Sequence, residues 1–188
     1  MIHRHFKLFK PYGYISQFKY DLKRKKKLLG ELFDFPEGTM AIGRLDEDSE
    51  GLLLLTTDGK VSQQIRSRKV EKEYYAQVDG LITETALKLL QNGVEIGVEG
   101  IKYMTKPCKS FQLTETPQLP KRAKKIRDER HGPTSWVSIT VTEGKFRQVR
   151  KMTAAVGFPT LRLVRVRIHD ITIDGLDAGD VSPIDYNL

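Results

Sequence analysis

The chain has only one cysteine, Cys108, among its 188 residues. No intramolecular disulfide can form, and a metal site built from several thiolates is excluded. Such sparse use of cysteine is typical of proteins from a reducing compartment, so we predict that this protein is cytoplasmic.

Long hydrophobic runs are also absent. The longest apolar run, Leu52 to Leu55, is far too short to cross a bilayer. The segment from Met1 to Phe6 lacks the uninterrupted apolar stretch of a signal peptide. We therefore expect no membrane partner.

The composition is that of an ordinary globular protein, with 39% hydrophobic and 30% charged residues. A chain of 188 residues can bury a sizeable core without disulfides. We predict a single catalytic domain over residues 1–188, with two sub-halves joined around 67–72 as the alternative arrangement.

Positive charge dominates and is clustered. The net charge is +8 and the pI is about 9.5. Basic residues concentrate in three segments, which are Lys23–Lys27, Lys121–Arg130 and Gly144–Ile168. Solvated loops would explain a single such run, but three in one short chain favour a nucleic-acid partner. An anionic membrane surface is the alternative, yet no amphipathic anchor helix accompanies the charge.

Short alternating segments interspersed with helical patterns predict an α+β fold with a mixed, mainly antiparallel sheet and flanking helices. Strands are predicted at 3–9, up to Gly43, and at 52–55, 74–78, 135–142 and 161–168, with further short strands within 95–111. Helices are predicted at 60–66, 146–156 and from the cap residue Thr83 to Gln91, and a loop at 114–133.

The helix predicted at 146–156 has two distinct faces. Val149, Met152 and Val156 recur at helical spacing and should face the core. A second face should carry Arg147, Arg150 and Lys151. A basic group near a helix start attracts anions, although an ordinary solvent-exposed charged face is the alternative interpretation.

The segment from Gly43 to Leu53 places four carboxylates directly before a buried strand. This arrangement is compatible with a helix cap, a turn or a divalent-cation loop. The spacing of a calcium-binding loop is absent, so the sequence favours the helix cap or the turn over a metal site. A metal-dependent nuclease using Asp46, Asp48 and Glu50 is nevertheless one rival hypothesis.

Three separated motifs resemble those of the ribosomal pseudouridine synthases of the small- and large-subunit type. They are Gly43-Arg44-Leu45-Asp46 with Asp48-Ser49-Glu50-Gly51-Leu52-Leu53, then Lys72-Glu73-Tyr74, then the segment from Glu143 to Met152. The resemblance extends from Lys10-Pro11-Tyr12-Gly13 to Arg165 and favours the large-subunit members. It implies the catalytic fold of that family, with an active-site cleft across the sheet and no separate N-terminal RNA-binding domain.

The resemblance assigns three catalytic residues. Asp46 corresponds to the nucleophilic aspartate, Tyr74 to the tyrosine that packs on the target base, and Arg150 to the arginine that pairs with the aspartate. The implied reaction isomerises a specific uridine of 23S ribosomal RNA to pseudouridine through base flipping, with no cofactor and no metal. Without the resemblance, Tyr74 would be assigned to the core and Arg150 to a phosphate contact or an exposed helix charge.

Further basic residues are candidates for contacts with the RNA. Arg44 lies two positions before Asp46 and could fill the space that a flipped base vacates, or instead form a salt bridge with Glu47, Asp48 or Glu50. The candidate phosphate contacts are Lys72, Lys145, Arg147, Lys151, Arg162 and Arg165. Phe146 and Glu47 depart from the polar and basic residues that the family pattern leads us to expect.

We expect ribosomal RNA of the large subunit as the partner of a monomeric protein. A catalytically silent RNA-binding module is the second rival hypothesis. It explains the basic surface equally well, but it does not require an acidic cluster that repels phosphate.

Overall fold

The computed structural model describes residues 3–19, 25–67 and 70–185. The strands are β1 His5–Lys10, β2 Met40–Ile42, β3 Glu50–Thr56, β4 Lys72–Asp79, β5 Glu95–Val98, β6 Ile101–Met104, β7 Lys109–Gln112, β8 Thr134–Val141, β9 Thr160–Ile168, β10 Ile171–Thr172 and β11 Val181–Pro183. The α-helices are α1 Gly59–Ser67, α2 Glu84–Asn92 and α3 Gln148–Ala155, and short 3₁₀ turns cover Leu29–Glu31 and Glu129–His131. The strands pair mainly antiparallel, which confirms the predicted α+β class.

The described chain divides into two compact units. The first unit contains the chain up to Val70, the segment Pro120–Lys124 and the chain from Asp170 onward. The second unit contains Glu71–Leu119 and Lys125–His169. Lys23 and Arg24, which begin the first basic segment, lie outside the described residues. Residues 68 and 69 of the predicted joint also lie outside them.

In the first unit, β1 pairs with β3 on one side and with β11 on the other, and β2 also pairs with β3. All seven residues of β3 are buried, as the apolar run predicted. Its core combines Leu53 and Leu55 with aromatic side chains such as Phe6 and Phe35. The result is a rigid strand that begins four residues after Asp46.

In the second unit, four strands lie in the order β9-β4-β8-β7, and β5 pairs with β6 in a separate hairpin. The core contains apolar residues of α2, α3 and the central strands, among them Ala76, Leu90, Ile139 and Met152. Thr83 caps α2 as predicted, because its hydroxyl accepts a hydrogen bond from the Ala86 backbone at 3.2 Å.

The start of α3 corrects one prediction. The helix begins at Gln148, so Phe146 and Arg147 precede it. Arg147 is the N-cap residue and has a left-handed backbone with φ of 52°, so it does not share a helical face with Arg150 and Lys151. The core face is confirmed, since Val149 and Met152 are buried.

None of the helices in the described ranges has the length and apolarity needed to span a bilayer.

Candidate active site

Asp46 lies in the loop between β2 and β3, and its neighbours hold the backbone on both sides. Gly43 turns the chain with φ of 74°. The Ser16 hydroxyl donates to the Leu45 carbonyl and accepts from the Leu45 amide, each at 2.9 Å. The Asp46 carbonyl accepts a hydrogen bond from the Ser49 amide at 3.0 Å. The half-buried Asp46 side chain therefore projects from a fixed backbone.

Two other carboxylates of this loop form ion pairs within the first unit. Lys26 Nζ lies 2.5 Å from Glu47 Oε2 at the half-exposed edge of the loop. Arg122 Nε lies 3.2 Å from Glu50 Oε2, and the Glu50 side chain is only 2% exposed. These cations offset part of the negative charge of the four neighbouring carboxylates.

Lys10 places a buried positive charge near the same loop. Its side chain is fully buried, and its Nζ donates to the carbonyls of Pro11 at 3.0 Å and Tyr14 at 2.7 Å. Burial lowers the pKa of Lys10 to about 8, against the opposing attraction of carboxylates that include Glu50 and Asp46. The loop that carries Asp46 is therefore surrounded by compensating charge.

The basic loop at 114–133 is anchored in the first unit through Arg122. Its guanidinium carbon lies 4.2 Å from the centroid of the Tyr12 ring, in addition to the ion pair with Glu50. Lys124 Nζ lies 5.8 Å from the same ring centroid. Most of the segment lacks regular secondary structure, as predicted, but it is not a loosely solvated loop throughout.

Tyr74 lies on β4 in the second unit, between β8 and β9. Its register partners are Ile139 and Arg165. The guanidinium carbon of the buried Arg165 lies 6.0 Å from the Tyr74 ring centroid. The pKa of Lys72 is lowered by burial first and then by the charge of Arg165. Two basic side chains are thus grouped at the start of the strand that carries Tyr74.

The turn before α3 is built around Glu143. Its carboxylate accepts hydrogen bonds from the Tyr103 hydroxyl, from the Lys106 amide at 2.9 Å and from Gln148 Nε2 at 2.9 Å. Burial alone would raise the pKa of Glu143, but these hydrogen bonds outweigh it and lower the pKa. Gln148 Oε1 in turn accepts from the Lys145 amide at 3.0 Å, so the turn is held at both ends.

The remaining candidates in the second unit differ in exposure. Lys145 is exposed, Arg147, Arg150 and Lys151 are half-buried, and Arg162 and Arg165 are buried. Arg150 Nη1 lies 3.5 Å from the Thr160 carbonyl oxygen, at the limit of a hydrogen bond. Arg162 and Arg165 are thus less accessible to solvent than Lys145.

Arg44, in the first unit, has an exposed side chain and forms no ion pair with any described residue. The alternative salt bridge to Glu47, Asp48 or Glu50 is therefore not formed. Nowhere in the described ranges do three or more His, Cys, Asp or Glu side chains assemble into a group that could hold a metal ion.

The sequence matches the family model for RNA pseudouridylate synthase over residues 5–155. The chain belongs to the RNA pseudouridylate synthase family. Enzymes of this family isomerise uridine in RNA to pseudouridine, so the family resemblance of the three motifs is confirmed.

Relatives of this pseudouridine synthase agree over most of its length. It is 43% identical to ribosomal large subunit pseudouridine synthase E of Xanthomonas axonopodis pv. citri (strain 306), covering 89% of this chain and 86% of the relative. It is 42% identical to the synthase E of Vibrio parahaemolyticus serotype O3:K6 (strain RIMD 2210633), covering 90% of this chain and 69% of the relative. A crystal structure of a pseudouridylate synthase superimposes with a TM-score of 0.75 at 29% identity, covering 98% of this chain and 71% of that one.

Sequence reasoning missed the residues that support the aspartate loop of this synthase. The sequence marks Lys10 and Tyr12 only as one end of the family resemblance, and it does not predict that Glu50 is buried with a cation. A carboxylate at the start of a strand that is apolar on both faces is a signal that a buried cation must accompany it. The identity of that cation, Arg122, could not be read from the sequence because it lies far along the chain.

Proposed function

We propose that this pseudouridine synthase isomerises a specific uridine in the large-subunit 23S ribosomal RNA. The relatives at 43% and 42% identity are named for this class of substrate. The observation that carries the proposal is the Asp46 loop, where the backbone is held by Ser16 and Ser49 while ion pairs neutralise Glu47 and Glu50.

Asp46 is the proposed nucleophile. The reaction breaks the bond between uracil N1 and the sugar C1′ and forms a bond from C5 to C1′. The proton lost from C5 is balanced by one gained at N1, so no oxidant, reductant or cofactor is needed. A carboxylate that forms a covalent intermediate divides the rearrangement into two easier steps.

Tyr74 is the proposed support for the base. Its ring offers a flat face for uracil, and its hydroxyl can handle the proton at C5. Arg165 and Lys72 lie near the same strand start and would attract the phosphate that follows the flipped nucleotide. Because Arg165 is buried, it is better placed to contact a nucleotide that enters a closed site than to contact RNA on the protein surface.

Arg150 is the proposed cation that keeps the nucleophile ionised. A guanidinium suits this task because it stays charged and can bind a carboxylate through two donors. The proposal rests on the position of Arg150 in the third motif. Replacement by lysine would keep the charge and lose the paired donors, whereas alanine would lose both.

Base flipping brings the uridine within reach of these groups. Extracting a stacked base requires a few kcal/mol. The exposed Arg44 is the proposed residue that occupies the vacated stack, and Lys145, Arg147, Lys151 and Arg162 are the remaining proposed RNA contacts. We further propose that the protein acts in the cytoplasm as a monomer with one catalytic domain.

Pseudouridine mapping of ribosomal RNA tests the proposal. RNA from cells lacking the protein should miss pseudouridine at one or a few sites, and the wild-type chain should restore them. The Asp46→Asn variant should restore none of these sites. It should nevertheless keep the thermal stability and most of the RNA affinity of the wild-type protein. Unchanged modification in the deletion strain would contradict the proposed substrate, and turnover by Asp46→Asn would contradict the proposed nucleophile.

Arg150 is tested separately from RNA binding. Single-turnover pseudouridine formation at saturating RNA should fall steeply in Arg150→Ala and less in Arg150→Lys. If Arg150→Ala changed only the salt dependence of binding, Arg150 would be a phosphate contact instead.

A further inference from the structure

Phe146 has a large apolar side chain that is exposed to solvent. Its side chain is 66% exposed in the second unit, in the turn between β8 and α3. The surrounding segment, from Glu143 to Lys151, is otherwise polar or basic apart from the inward-facing Val149. An aromatic ring that is exposed next to cations does not stabilise the core. Its position suits a ligand that has a flat face and negative charge.

The backbone that carries Phe146 is fixed. On its N-terminal side, the Lys145 amide donates to Gln148 Oε1 at 3.0 Å, and the Lys145 carbonyl accepts from the Gln148 amide at 3.1 Å. On its C-terminal side, Arg147 has the left-handed conformation that redirects the chain into α3. The ring is therefore presented at a defined place, which reduces the entropy lost when a ligand stacks on it.

One cation lies over the ring, and two more basic residues flank Phe146 in the sequence. Lys151 Nζ lies 5.2 Å from the Phe146 ring centroid and also donates to the Gly97 carbonyl at 2.7 Å. Lys145, which precedes Phe146 in the turn, has its Nζ 4.8 Å from the ring centroid of Tyr103 on β6. Arg147 adds a third cation directly after Phe146.

This combination fits RNA better than it fits a protein surface. Cationic side chains next to an aromatic ring bind the phosphate and the base of one nucleotide at the same time. The centre of a protein interface is instead depleted of charged residues, lysine above all. A ring with Lys151 over it and with basic residues on either side in the sequence is therefore unfavourable for an apolar protein partner.

We propose that Phe146 is a stacking platform for an unpaired base of the RNA substrate, with Lys145, Arg147 and Lys151 bound to the adjacent phosphates. The inference rests on the proposed function, because it assigns an additional contact to the same RNA. It adds a binding residue to those that the family resemblance assigns.

Equilibrium binding of a short, fluorescein-labelled single-stranded RNA tests the platform. The full chain carrying Asp46→Asn serves as the parent, so that turnover does not alter the probe. Phe146→Ala should weaken binding by about 5- to 100-fold, which is the range for loss of one base stack. Phe146→Tyr should restore most of the affinity, and Phe146→Leu should not, because leucine is apolar but not flat.

Salt dependence separates stacking from charge. Phe146→Ala should leave the slope of log Kd against log salt unchanged, whereas Lys151→Ala should reduce it by about 0.7 for one lost phosphate contact on a single strand. Phe111→Ala is the matched control, because Phe111 is 53% exposed on β7 in the same unit and no cation of the described residues lies over its ring. It should bind RNA like the parent.

Two results would overturn the inference. One is unchanged RNA affinity in Phe146→Ala. If modification in cells nevertheless fell in this variant, that fall would indicate a protein partner. The other is equal affinity of the leucine and tyrosine variants, which would indicate a general apolar effect. Failure of the proposed function is a separate result, since it would appear as wild-type protein that forms no pseudouridine in ribosomal RNA.

Discussion

Arg122 Nε lies 3.2 Å from Glu50 Oε2, in a pair whose side chains are only 11% and 2% exposed. Glu50 opens β3 four residues after Asp46, while Arg122 belongs to the short segment Pro120–Lys124. The guanidinium also lies over the Tyr12 ring. One arginine therefore ties a distant part of the chain to the strand that follows the proposed nucleophile.

Removing Arg122 should destabilise the protein strongly. Arg122→Ala leaves Glu50 as a buried carboxylate without its guanidinium, and such changes lower the free energy of unfolding by about 3 kcal/mol. Urea unfolding measures the effect. Arg130→Ala is the matched control, because its pair with Asp128 is solvent-exposed and contributes little. Equal midpoints for the two variants would show that the buried pair does not stabilise the fold.

Lys10 should make stability depend on pH above neutrality. Burial lowers its pKa from 10.5 to about 8 in the folded protein, so the unfolded chain binds more protons between these pH values. The contribution of Lys10 to the free energy of unfolding should therefore rise across this range, by about 3 kcal/mol in total, as the buried charge is lost. The rise should be absent from Lys10→Met in urea titrations at increasing pH. Parallel curves for both proteins would contradict the assignment.

Gly93 should not tolerate a side chain. It ends α2 with φ of 94°, and an added Cβ would lie 2.3 Å from the Thr105 carbonyl oxygen. Gly93→Ala should lower the free energy of unfolding by more than about 1 kcal/mol. Gly97→Ala is the control, since a Cβ there would meet no atom within 4 Å. Thermal unfolding compares the two, and a stable Gly93→Ala would contradict the crowding.

Arg147 combines a strained backbone with a proposed RNA contact, and two variants separate these properties. Arg147→Gly and Arg147→Ala both remove the charge, but only glycine adopts the left-handed conformation without strain. The glycine variant should be more stable by about 1 kcal/mol. Both should reduce the salt slope of RNA binding by about 0.7. A less stable glycine variant would mean that the turn does not require this conformation.

Cys108 should react slowly with alkylating reagents. Burial first, and then the charge of Glu143, raises its pKa from 9.0 to about 11, and its Sγ donates to the Leu90 carbonyl at 3.1 Å. At mildly alkaline pH the thiolate population is about 100-fold lower than in an unperturbed thiol. Iodoacetamide labelling followed by mass spectrometry should show slow modification in the native protein and rapid modification in urea. Equal rates would contradict the burial.

Local sequence patterns predicted the elements whose stability depends on local contacts. The apolar run from Leu52 to Leu55 is a buried strand, because a short run of this kind fits the centre of a sheet. Thr83 caps α2, since its hydroxyl satisfies an amide only three residues away. Val149 and Met152 face the core because their spacing follows the helical repeat. In each case the determining interactions lie within a few residues.

The features that were missed depend on partners far away in the sequence. Helical periodicity predicts that α3 begins at Phe146, whereas it begins two residues later, where Gln148 forms hydrogen bonds with Lys145 and Glu143. The burial of Lys10 and the pairing of Arg122 with Glu50 follow from tertiary packing that no local pattern encodes. The proposed catalytic residues came from the family motifs, which identify positions but not the contacts that hold them.

The pairing of β1 with both β3 and β11 has a consequence for synthesis. On a translating ribosome, β2 and β3 emerge soon after β1, but β11 emerges only after the entire second unit has been made. Until then, the edge of β1 that pairs with β11 in the finished fold is open in the nascent chain. Open strand edges readily pair with other chains. The order of the strands therefore leaves this edge open until nearly the whole chain has been synthesised.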